Sequence, residues 1–187
     1  NIIWYLIRRP QGLVAGLSGL AIIAGGFAFY MPFSQYLKAQ NVPAIHDITT
    51  DTQNPPEFVA IAPLRADASN PVEYAGEDTA KQQRKAYPEL TTYESLESPD
   101  ELFSAALLAV DKMGWELVDS SETEGRIEAT ATTTWFGFKD DVVIRIRATA
   151  DGSELDIRSK SRVGRSDVGK NADRIREYLS QLKPELR

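Results

Sequence analysis

His46-Asp47, with Asp51 four residues further on, sets the chain's single histidine beside two carboxylates. These residue types can work as an acid–base pair or hold a cation weakly. No serine-nucleophile motif accompanies them. One histidine with carboxylates is thin for zinc or iron. The chain has no cysteine, which excludes disulfides, iron–sulfur clusters and thiol nucleophiles. The simpler reading is structural, with Asp and Thr side chains capping turns around the histidine. No catalytic residue, metal site or cofactor is assigned from this pattern.

A second group is cationic. Arg145, Arg147, Arg158 and Lys160 share one parity along two strand-like runs, and Arg162 and Arg165 lie just beyond. Such a row can bind an anion, for example a lipid headgroup or a phosphorylated metabolite. Glu116, Glu128 and Asp156 have the same parity, however, and can pair with it across strands. Residues 34–124 also carry a net charge of −11, against +3 for residues 125–187. The acidic stretch lying over the cationic row explains this asymmetry internally, and that reading is preferred. Gly164-Arg165-Ser166-Asp167 precedes a helix, where exposed amides and an arginine offer an anion site. Capping by Ser166 or Asp167 is the commoner use of such a sequence.

The third group is aromatic. Trp135-Phe136-Gly137-Phe138 joins two strands, with Trp135 on the parity of the apolar face and Phe136 and Phe138 on the other. One or both Phe rings should emerge on the outer side, as a contact for a protein, a lipid or a ligand groove. The alternative is that residues 34–98 fold over them.

The elements that position these groups are legible from spacing. Ser98-Pro99-Asp100-Glu101 is a capping box with Pro at the first helical position. Leu102, Phe103, Ala106, Leu107 and Val110 then recur at helical spacing up to Gly114. Apolar residues alternate in four runs: Trp115–Asp119, Arg126–Thr134, Val142–Ala148 and Leu155–Ser159. That alternation is the pattern of an antiparallel sheet with one buried face, and Asp151-Gly152 signals a tight hairpin. A helix over about 168–182 carries Val168, Ala172, Ile175, Leu179 and Leu182 on one stripe. The fold class is therefore α+β: helix, four-stranded antiparallel sheet, helix, over residues 99–187, with both helices on one face. Residues 34–98 hold six of the ten prolines and read as an extended segment packing on that domain. Phe58–Ile61 is a candidate edge strand within it, and Thr79–Ala86 a short helix.

Residues 1–33 read as a membrane anchor. Leu13–Phe33 contains no charged residue, and a helix of that length spans about 30 Å, the bilayer core. Arg8-Arg9 precedes it and the far side is acidic, so the N-terminus should lie in the cytoplasm and residues from about 34 onward outside it. Tyr30, Phe33 and Tyr36 fit an interfacial aromatic belt. A cleaved signal peptide would have a shorter apolar region and an Ala-x-Ala-like end, which favours a retained anchor. The apolar Ile2–Ile7 suggests the end of an earlier membrane element. Gly12, Gly16, Gly19 and Gly26 form one helical stripe suited to packing against another transmembrane helix. A pI near 4.9 argues against nucleic acid as a partner.

Several stretches together resemble the membrane-anchored proteins grouped as domain-of-unknown-function family 1499. They are Ile45-His46-Asp47-Ile48-Thr49-Thr50-Asp51, Gln82-Gln83-Arg84 to Tyr87-Pro88, and Gly125-Arg126-Ile127-Glu128-Ala129-Thr130. Trp135-Phe136-Gly137-Phe138-Lys139-Asp140-Asp141 and Ser161-Arg162-Val163-Gly164-Arg165-Ser166-Asp167 complete the set. The resemblance runs from about residue 42 to 182. It implies anchoring by one or several helices, in bacteria or in some cases plastids, and carries no catalytic activity. The leading expectation is an accessory module of a membrane protein assembly, with the bilayer and other transmembrane helices as partners. The alternative is a domain binding a small anionic or lipid ligand; an enzyme ranks third.

Overall fold

The computed structural model describes residues 11–134 and 136–186. The Arg8-Arg9 flank, the Ile2–Ile7 stretch and Trp135 lie outside the described residues. Helix α1 (Gln11–Asn41) continues past the expected end at Phe33 and carries Pro32 inside it and Lys38 in its last turn. Its Ala15–Asn41 portion is long and apolar enough to cross a membrane.

Residues 42–187 form a separate compact unit, which runs across the expected divide at residue 98. Its elements are β1 (Asp47–Thr49), a 3-10 turn at Ala62–Arg65, α2 (Glu77–Ala86), β2 (Tyr93–Ser95), α3 (Pro99–Lys112), β3 (Glu116–Ser121), β4 (Arg126–Thr132), β5 (Lys139–Ala148), β6 (Ser153–Ser161) and α4 (Lys170–Leu182). The sheet is antiparallel and has six strands, not the four expected. Strands β3 to β6 form a meander in chain order. The free edge of β6 is then divided between two short strands: β1 pairs with Arg158–Lys160, and β2 pairs with Ser153–Leu155. At three residues each, β1 and β2 are too short to show alternation. Phe58–Ile61, expected as an edge strand, is instead a bent segment in which Phe58 and Ile61 are buried.

One face of the sheet is the expected core. Ile127, Ala129, Val142, Ile144, Ile146, Leu155 and Ile157 meet Leu102, Phe103, Ala106 and Val110 of α3 and Ala172, Ile175, Tyr178 and Leu182 of α4. The capping box at Ser98 forms as the sequence requires, with Glu101 N–H donating to Ser98 Oγ and Ser98 N–H donating to the Glu101 carboxylate. Trp115 stacks on Tyr178 at 5.4 Å.

Two apolar positions depart from expectation. Leu117 is 49 % exposed, because a bulge between Leu117 and Asp119 shifts the register and turns Val118 toward a second apolar cluster. Val168 lies outside its helix with φ +53°, since the Asp167 carboxylate accepts the N–H groups of Gly169 and Asn171 and starts α4 later. Gly152 serves more than its hairpin, because a Cβ there would stand 2.2 Å from Ser95 O in β2.

Candidate functional site

The second face of the sheet carries charged side chains at strand parity, and residues 47–75 cover it. Asp47 at the start of β1 accepts Arg158 Nε (2.9 Å) and Nη2 (3.0 Å) as a bidentate pair, and Lys160 Nζ at 2.9 Å. All three side chains are almost wholly buried. Burial pushes the Asp47 carboxyl up, but hydrogen bonds and charge from Arg158 and Lys160 outweigh it and hold the group below the usual carboxylate value. Burial lowers Lys160 from its ordinary value, with Asp47 opposing.

The same motif of one buried Asp between two cations recurs twice. Asp141 takes Arg65 at 2.5 Å and Arg162 at 2.8 Å, and accepts the Thr130 hydroxyl. Asp156 takes Arg145 at 2.8 Å and Arg147 at 3.0 Å, and accepts the hydroxyls of Thr50 and Thr92. Glu128 is fully buried and works differently. Its carboxylate accepts the backbone N–H groups of Val59 (2.9 Å), Ala60 (3.0 Å) and Ile61 (2.8 Å), and pairs with Arg126. These amides would otherwise lack acceptors where the chain bends over the sheet, and a buried donor must be paired.

The candidate residues from sequence therefore separate. His46 stands just before β1, and Asp47 begins it. Asp47 enters the buried network, whereas His46 Nδ1 stands 3.5 Å from Arg165 O. Asp51 closes a turn by accepting Gln53 and Asn54 N–H, and its other oxygen takes Arg145 at 3.1 Å. Arg145, Arg147, Arg158, Lys160 and Arg162 are engaged by carboxylates of this chain, and two of these carboxylates, Asp47 and Asp51, come from the acidic stretch. Arg165 is exposed. Among the described residues, no group of His, Asp and Glu has the arrangement of a metal site.

Sequence reasoning missed Arg65, Gln83 and Asn171 as organisers. Arg65 ties the 3-10 turn to the sheet, through Asp141 and the carbonyls of Lys160 and Ser161. Gln83 of α2 closes a pair of bonds on the backbone of Thr49. Asn171 of α4 joins Ser159, Ser161 and His46 O. Each is a polar residue whose partners lie far away in the chain, and a single sequence has no signal for the long-range partner.

The β4–β5 turn is the opposite environment. Thr133 N–H donates to Phe138 O at 2.9 Å, Phe138 N–H to Thr133 Oγ1 at 2.9 Å, and Gly137 takes φ +63° to close the turn. Phe136 is 79 % and Phe138 53 % exposed, with the two rings stacked at 5.7 Å and 21°. Both rings are open to solvent, and residues 42–98 do not cover them.

A sheet with apolar helices on one face and a polar strap locked by buried ion pairs on the other defines a small α+β domain, in a chain whose N-terminal helix is long and apolar enough to cross a membrane. Residues 47–182 match the family described as protein of unknown function, DUF1499. The chain belongs to that family. No curated protein matches it.

Proposed function

We propose that residues 42–187 are an interaction or accessory module of a membrane protein assembly, held by α1 on the periplasmic side of a bacterial inner membrane. The observation that carries this reading is the stacked Phe136–Phe138 pair. Both sheet faces already have their cover, so these rings add nothing to the domain's own core. Exposed aromatic pairs are the side chains that anchor interfaces. The stripe of Gly12, Gly16, Gly19 and Gly26 supports a second contact inside the bilayer, since small residues so spaced let two transmembrane helices approach closely.

Replacing Phe136 and Phe138 together with Ser should abolish copurification of a stoichiometric partner from gently solubilised membranes. The unfolding midpoint should hold within the range of surface changes, about 0.5 kcal/mol. Copurification that survives the double change removes the tip as the contact. A reporter fused after Arg187 should be active in the periplasm, and cytoplasmic activity would overturn the orientation.

A further inference from the structure

We propose that the cleft between residues 53–58 and 72–74, walled at one side by Arg158, is a binding site for a small molecule that presents a single carboxylate on a flat apolar body. This site is independent of the aromatic tip. The cleft measures about 340 Å³, within the range of roughly 300–1,000 Å³ of small-molecule pockets. Phe58, Val72 and Pro55 supply apolar wall, and Tyr74 and Arg158 supply polar groups.

Arg158 is a built feature of this wall. It is 2 % exposed, and its guanidinium is fixed by Asp47, by Pro56 O at 3.1 Å and by Val72 O at 3.0 Å. The Phe58 and Tyr74 rings lie 5.0 and 5.4 Å from its central carbon. A guanidinium has five N–H donors. Asp47 takes two of them, Pro56 O one and Val72 O one, which leaves a donor at Nη1.

The Tyr74 hydroxyl is a second donor. It is buried and has no hydrogen-bond partner among the described residues, a costly state for a polar group. Burial and the nearby Asp47 charge push its pKa up to about 12, so it keeps its proton to offer. An acceptor that reaches both donors relieves both. Charge selects among acceptors. Asp47 faces two cations, Arg158 and Lys160, so this buried group carries one excess positive charge that one carboxylate neutralises. Glu57 and Glu73 line the cleft and are exposed, and Glu77 also acts on Tyr74, with Arg84 opposing. These acids disfavour phosphates and other multiply charged anions.

The test uses the full chain in a neutral maltoside detergent, titrated calorimetrically with benzoate, with its neutral isostere benzamide, and with inorganic phosphate. Benzoate should bind saturably, and benzamide and phosphate should not. Tyr74→Phe should weaken benzoate at least about tenfold, as loss of a bond to a charged group does. Its unfolding midpoint should not fall, because the hydroxyl bonds nothing in the protein and its removal relieves a buried unpaired group. Val72→Phe, which fills the cleft, should abolish binding. Absence of saturable benzoate binding overturns the proposal. So does equal binding of benzamide or phosphate, or benzoate affinity that survives either substitution.

Discussion

Glu128 holds the strap through three backbone amides at once, so its removal should cost the domain heavily. Glu128→Ala deletes the acceptor of three backbone N–H groups and one partner of Arg126. Ile61 is fully buried, so its amide loses its partner with no water to replace it, which costs about 1–3 kcal/mol. Val59 and Ala60 are nearer the surface and can rehydrate, so each contributes roughly 1 kcal/mol, the net value of an ordinary hydrogen bond. Arg126 retains Asp119 and Glu124 and adds little. The sum is about 3–5 kcal/mol. Glu128→Gln keeps one oxygen and turns an NH₂ toward the remaining donors, so it should cost about half as much. Urea unfolding of the full chain in detergent gives the free energies, and amide exchange at Val59–Ile61 gives the locality. Glu128→Ala within about 0.5 kcal/mol of the parent, or unchanged protection at Ile61, would refute the view that this carboxylate holds the strap.

Two further outcomes follow from the core and the buried pairs. Ile144 and Ile175 are both fully buried, one under the sheet and one on α4, so truncating either to Ala should cost about 2–5 kcal/mol; a surface-sized change measured by denaturant unfolding would show that the face assignment is wrong. The folded Asp47 carboxyl lies below its unfolded value of 3.8, so its contribution is complete above about pH 4 and is lost as pH falls through the lower folded value. Burial raises Asp167 above 3.8, which contributes with the opposite sign over the window just above that pH. Asp47→Asn should therefore flatten the acid limb of the stability profile and lower stability at neutral pH by about 3–5 kcal/mol, by leaving buried cations unpaired. An acid limb as steep as the parent's would refute the assignment.

The apolar half of the fold was legible because it obeys local periodicity. Ser98 through Val110 and the alternation of Val142–Ala148 each specify an element within about ten residues, and the structure follows them. The polar half was legible as a charge imbalance and as a row of shared strand parity, but not as a set of buried pairs. Alternation distinguishes apolar from polar positions, and the usual translation of polar is solvent. Here Arg158, Lys160 and Asp156 are as buried as Ile157, because the cover brings carboxylates, carbonyls and hydroxyls rather than methyl groups. Glu128 and Asp156 stood out by parity, but Arg65 and Asp141 did not, since their partners are 76 positions apart. Leu117 was misplaced by a bulge, which a strict period of two cannot accommodate. At the aromatic tip the core-facing positions are odd in β4 and even in β5, so parity carried from β4 does not extend through the turn, and the exposure of Phe136 and Phe138 is set by the turn itself.

The pairing of β1 with β6 also sets an order of assembly. Asp47 and Lys160 are separated by 113 positions, and closing so large a loop is entropically costly and slow relative to neighbouring hairpins. The β3–β4 and β4–β5 hairpins can zip as soon as they are synthesised. Arg145 of β5 can already engage Asp51 of the strap, but Asp47 has no cations to meet until β6 has been made, because Arg158 and Lys160 lie in it. Until then β5 presents an unpaired edge, the kind of surface that invites pairing with other chains. During biogenesis the domain thus spends its most vulnerable interval waiting for nine residues, Ser153–Ser161, whose arrival covers the β5 edge and supplies the cations that Asp47 needs.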